Sequence, residues 1–95
     1  MVQVTISWKG DHGEVVPSNF RAQPEEEVRW TAEGSAVDIE FTKIEVFGTE
    51  KLTVPAGQTR SLEVEPDAPE GEYTFPVRCA KDPGDGTPPV SMILG

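Results

Sequence analysis

Strict alternation of apolar and polar residues, broken every few positions by proline or glycine, constrains this chain more than any other feature. In VQVTISW, Val2, Val4, Ile6 and Trp8 alternate with Gln3, Thr5 and Ser7. A β-strand sends successive side chains to opposite faces, so this spacing predicts a half-buried strand. The same period returns at Val28, Trp30 and Ala32 against Glu27, Arg29 and Thr31. It returns again at Val37, Ile39 and Phe41 against Asp38, Glu40 and Thr42. Leu52 and Val54, then Leu62 and Val64, flank the turn signal PAGQ at residues 55–58. Tyr73, Phe75, Val77 and Cys79 share one face, and VSMIL (Val90–Leu94) closes the chain as a further strand. Nine prolines and nine glycines separate these runs. The expectation is an all-β Greek-key sandwich or barrel of about seven to eight strands. Ninety-five residues make one such domain, spanning 1–95.

Three places depart from simple alternation. Phe41, Ile44 and Phe47 recur at three-residue spacing, which admits a helical turn within residues 41–49. QPEEE at residues 23–27 could open a helix, with proline first and acids in the first turn, but the strand pattern that follows at once favours a turn. Pro76 falls inside the 73–79 run on its polar side. Proline cannot donate to a ladder, so the strand is at a sheet edge there or carries a bulge. The ten residues AKDPGDGTPP at 80–89 are more than a hairpin needs. Long loops at the ends of sandwiches are where binding residues tend to sit.

Seventeen acidic residues against eight basic ones leave a formal charge of −9. Such a surface repels phosphate backbones and anionic lipid, so nucleic acid and membrane are poor partners and a basic protein partner is the one that charge permits. Glu25, Glu26 and Glu27 read first as a solvated turn and second as a docking patch. No run of eighteen apolar residues is present to span a membrane. The first residues alternate as a strand, without the basic and apolar regions of a signal peptide, which is the expectation for a cytoplasmic protein or a mature exported domain. A single cysteine excludes an internal disulfide.

The order of these pieces resembles the cupredoxin fold. NFRAQPEEEVRW is similar to the family's F-x-P … G-x-x-V-x-W entry, and VDIEF to its H-x-V-x-F strand. LTVPAGQTRSLEV is similar to the turn before its ladder strand, and PEGEYTF to its G-x-Y-x-F/Y-x-C strand. Together they cover residues 19–95. The stretch from Tyr73 to Gly86 also resembles the F strand of a fibronectin type III domain, which makes an immunoglobulin-like or fibronectin-like sandwich the alternative fold. Against it, Trp8 lies too close to the start of the chain.

The cupredoxin resemblance implies a type 1 copper centre, which needs two imidazoles, a thiolate and a weak axial ligand such as methionine. Its positions are filled otherwise here. Val37 stands where the family's first histidine opens its strand, and Val77 stands four residues after Tyr73, at the place of the cysteine. The 80–89 loop contains no histidine, and Met92 lies inside the last strand. One histidine in the whole chain rules out a two-imidazole site within it. The expectation is a domain without cofactor and without metal ligands. Cys79 is then a small buried hydrophobe rather than a reactive thiol, since a lowered pKa would need positive charge and Asp82 offsets Arg78 and Lys81. His12, between Asp11 and Glu14, reads as a solvated turn before it reads as a weak cation site. No G-x-S-x-G elbow, P-loop, H-E-x-x-H or triad is present, so no catalytic residue is assigned. Trp8 and Trp30 are expected in the core, and Tyr73 as a corner residue whose hydroxyl bonds backbone.

The function expected is therefore a non-enzymatic interaction or accessory module, similar to small bacterial proteins whose cupredoxin-like domains lack ligands. The competing readings are a metal-handling protein using Cys79, His12 or Met92 at an interface, and an immunoglobulin-like adhesion domain.

Overall fold

The computed structural model describes residues 1–9, 12–79 and 89–95, with the side chain of His12 outside that set. Within them the chain forms ten strands and one short helix. In order these are β1 (Val2–Lys9), β2 (His12–Val16), β3 (Asn19–Ala22), β4 (Glu27–Glu33), β5 (Val37–Glu40), α1 (Ile44–Phe47), β6 (Lys51–Val54), β7 (Thr59–Glu63), β8 (Gly71–Phe75), β9 (Val77–Cys79) and β10 (Val90–Leu94).

One layer is the four-stranded sheet β2-β1-β4-β7. The other contains two three-stranded pieces, β3-β10-β8 and β6-β5-β9. Both layers mix directions, because β1 runs parallel to β4 and β10 parallel to β3 while their other pairings are antiparallel. The strand count exceeds the seven to eight expected for three reasons. Residues 12–16 and 19–22 each form a strand although neither alternates strongly. The 73–79 run is cut in two by Pro76: β8 pairs with β10, and β9 pairs with β5. The Pro76 carbonyl still accepts from the Glu40 amide at 3.0 Å, so the proline shifts the strand to a new partner instead of ending it.

The alternation places its apolar set inside. Val4, Ile6, Trp8, Val28, Trp30 and Ala32 from the first layer face Val37, Ile39, Phe75, Met92 and Leu94 from the second, in one continuous core. Trp30, fully buried, packs its ring against Phe20, Phe41 and Phe47 at centroid distances of 6.2, 5.9 and 6.2 Å. Phe41 in turn meets Phe75 edge-on at 5.2 Å. A helical turn does form within 41–49: α1 buries Val46 and Phe47, leaves Ile44 exposed, and ends on Gly48 in the left-handed region at φ 77°.

Two turns follow from their residue types. At 55–58, Gly57 takes φ 77° and the Gln58 amide donates to the Pro55 carbonyl at 3.1 Å, the arrangement that PAGQ predicts. QPEEE is a turn and opens no helix: the Glu26 amide donates to the Gln23 carbonyl at 3.1 Å, with Glu25 at φ 69°. Its side chain completes it. Glu26 accepts from the Gln23 amide at 3.0 Å and from the N-terminal ammonium at 3.1 Å. The hydrogen bond from the ammonium is the foremost cause that holds its carboxyl below the usual value; burial opposes it, and the Gln23 amide adds to the lowering. A carboxyl depressed on folding contributes stability above its unfolded pKa and loses it as pH falls through the folded one. Glu26→Gln is accordingly expected to lower stability at neutral pH by less than about 1 kcal/mol. Wild type and variant should converge as pH falls below the ordinary carboxyl value of 4.5 and through the lowered folded one, as read by denaturant titrations across pH.

Gly34 is fixed by space as well as by dihedral. It sits at φ +86°, and a Cβ there would land on the Trp8 carbonyl oxygen. Left-handed backbone costs a non-glycine residue about 1–2 kcal/mol and an overpacked contact a similar amount. Gly34→Ala should therefore destabilise by about 2–4 kcal/mol in chemical denaturation, and a loss below half a kcal/mol would contradict this geometry.

Candidate functional site

The single cysteine ends β9, beside β5. Strand register sets Cys79 directly across from Val37, while Val77 lies across from Ile39. Alternation turns Cys79 inward at 3% exposure and sends Arg78 to the other face, opposite Asp38. Arg78 is therefore aimed away from the sulfur. Ser35, just before β5, brings its Oγ to 3.2 Å from the Cys79 Sγ, and the same hydroxyl donates to the Ala36 carbonyl at 3.3 Å. Either the hydroxyl or the thiol can donate in that pair. Lys81 and Asp82 lie outside the described residues, as does the rest of the 80–88 segment.

The other predicted site residues are dispersed. Met92 is fully buried in β10, between Phe20 of β3 and Tyr73 of β8 in register, in a different sheet piece from Cys79. Asp11 and the His12 side chain lie outside the described residues, and Glu14 is exposed on β2 opposite Ser7. Among the described residues no three His, Cys, Asp or Glu side chains are grouped so as to hold a metal ion. Tyr73 is the corner residue its position predicts: its hydroxyl donates to the Pro69 carbonyl at 2.6 Å. Burial, with the nearby Glu45 charge adding to it, pushes that phenol above its ordinary pKa. Trp8 and Trp30 are both in the core.

Two surface depressions accompany these interior features. One, of about 690 Å³, opens beside α1 over Phe41, Lys43, Ile44, Glu45 and Glu50. Its charges are mixed, and the neighbouring Lys51 is held at 3.5 Å by Asp38. The other, of about 420 Å³, lies on the outer face of β3-β10-β8. Sequence reasoning passed over it, although Ile93 gives a signal: it is apolar at the polar phase of VSMIL.

No protein-family model and no curated protein matches the chain. Solved structures do. A purple cupredoxin from Nitrosopumilus maritimus superposes with a TM-score of 0.66 over 100% of both chains, at 16% identity. The fold is that of the cupredoxins. Amicyanin from Paracoccus versutus is also similar, with a TM-score of 0.59 and 14% identity over 97% of this chain and 80% of that one. The immunoglobulin-like alternative falls away with these matches.

A cupredoxin fold raises the question of copper, and the residues present do not fit a type 1 centre. Between Tyr73 and Val77 the strand passes Pro76 and changes partner from β10 to β5. In the folded chain Cys79 is the residue beside position 37. A sulfur thus stands next to the place of the family's first histidine, and that place holds the methyl groups of Val37, which offer no lone pair. Met92, the other sulfur considered, packs between Phe20 and Tyr73. Burial of Cys79 has a direct readout. A thiol reagent should label it on the order of a hundredfold more slowly in the folded than in the unfolded protein, and labelling at the unfolded rate would show the thiol to be exposed.

Proposed function

We propose that this cupredoxin-fold domain is non-enzymatic and acts as an interaction or accessory module, without a type 1 copper centre of its own. The observation that supports this reading is the pairing of Val37 with Cys79: the position next to the sulfur has no donor atom, and a chain with one histidine cannot supply two imidazoles. The metal-handling alternative asks Cys79, His12 or Met92 to meet a partner; Cys79 and Met92 are 3% and 0% exposed, and the His12 side chain lies outside the described residues. For the interaction role, the charge of −9 favours a basic protein over nucleic acid or an anionic membrane. Among the described residues no helix is long and apolar enough to cross a membrane.

Copper titration tests the metal half of this reading. On adding Cu(II) and desalting, the purified domain is expected to show no intense thiolate-to-copper absorption and to retain well under one copper per chain. Stoichiometric retention with that absorption would reverse the assignment. Affinity capture from the native host tests the other half. Substitution of residues 80–89 should abolish capture, and capture unchanged by those substitutions would remove that segment from the binding surface.

A further inference from the structure

We propose that the outer face of β3-β10-β8 is a self-association surface, occupied by the same face of a second copy of the chain. This is independent of the reading above. Strand register builds the face: on central strand β10, Ile93 has Arg21 beside it on β3 and Glu72 beside it on β8. One step along, Ser91 has Asn19 and Thr74 as its neighbours. Adjacent strands are about 4.8 Å apart, so the Arg21 and Glu72 backbones stand roughly 10 Å apart with isoleucine between them. Ile93 is 45% exposed although its strand is central. Neither Arg21 nor Glu72 is in an ion pair or side-chain hydrogen bond with another described residue.

The row Arg21–Ile93–Glu72 reverses sign about its centre, and that property selects the partner. A two-fold axis lying between two opposed faces, parallel to β10 and passing over Ile93, sets Arg21 of each copy over Glu72 of the other. The same rotation sets Ile93 on Ile93 and Asn19 over Thr74. An isologous contact requires this self-complementarity, in which residue i meets j and j meets i. Each dimer would hold two new ion pairs around one apolar contact. Three short strands cover less than the roughly 1,200 Å² of a standard interface, and each copy carries nine net negative charges. Association is therefore weak, in the range of hundreds of micromolar.

Sedimentation equilibrium of the full chain up to about 1 mM, at physiological salt, tests the proposal. The expected result is a monomer–dimer equilibrium weakened about tenfold by Arg21→Glu and by Glu72→Arg alone. The double variant R21E/E72R should recover the wild-type constant, because it restores both pairs with exchanged signs. Ile93→Lys should abolish association while leaving the thermal melt unchanged, since the side chain is half exposed. A chain that stays monomeric throughout overturns the proposal. So does a dimer indifferent to the single charge reversals, or a double variant as weak as the singles.

Discussion

Burial of one indole ring ties the two layers of this domain together. Trp30 sits on β4, paired on one side with Val4 of β1 and on the other with Arg60 of β7, and its ring meets Phe20, Phe41 and Phe47 from the opposite layer and from α1. Its indole N–H finds no acceptor among the described residues, since aromatic rings surround it. An unmade hydrogen bond of that kind costs on the order of 1–3 kcal/mol. Burying 150–250 Å² of aromatic surface returns about 4–6 kcal/mol at 25 cal/mol per Å². Apolar burial wins, and it wins by holding three other aromatic side chains around one point. The helical turn α1 exists at this place for the same reason: it delivers Phe47 to Trp30 and Phe41.

The second constraint is Pro76. Without an amide hydrogen it cannot continue the ladder with β10, and the chain beyond it joins β5. That transfer brings Cys79 against Val37 and Ser35. In the same register Val77 lies across from Ile39. The local chemistry of the cysteine, a buried sulfur beside a hydroxyl and an aliphatic side chain, is thus a consequence of one imino acid three residues earlier. It is an environment that suits packing, and Met92, the other buried sulfur among the described residues, lies in a different sheet piece.

Much of the fold was legible in the chain because strand periodicity and turn chemistry are local. Val2 to Trp8, Val28 to Ala32 and Val37 to Phe41 alternate as their faces require, PAGQ turns where Pro55 and Gly57 allow, and Tyr73 bonds the carbonyl four residues back. Residues 12–16 and 19–22 were not legible as strands, because their polar and apolar residues follow no clean period and pairing with β1 and β10 decides their state. Ser35 gave no signal as the neighbour of Cys79, forty-four positions away. Proximity across that separation depends on the β5–β9 register.

By itself the sequence determined the class of architecture, the core-facing set, the acidic surface and the absence of two imidazoles, since each is a matter of residue type and short-range spacing. Tertiary structure alone decided which sulfur stands beside position 37. It also decided that Met92 lies in another sheet piece, and that Arg21, Ile93 and Glu72 form one row on an outer face. Those three residues come from strands at both ends of the chain. Long-range pairing, which no local pattern encodes, is the physical step that brings them together.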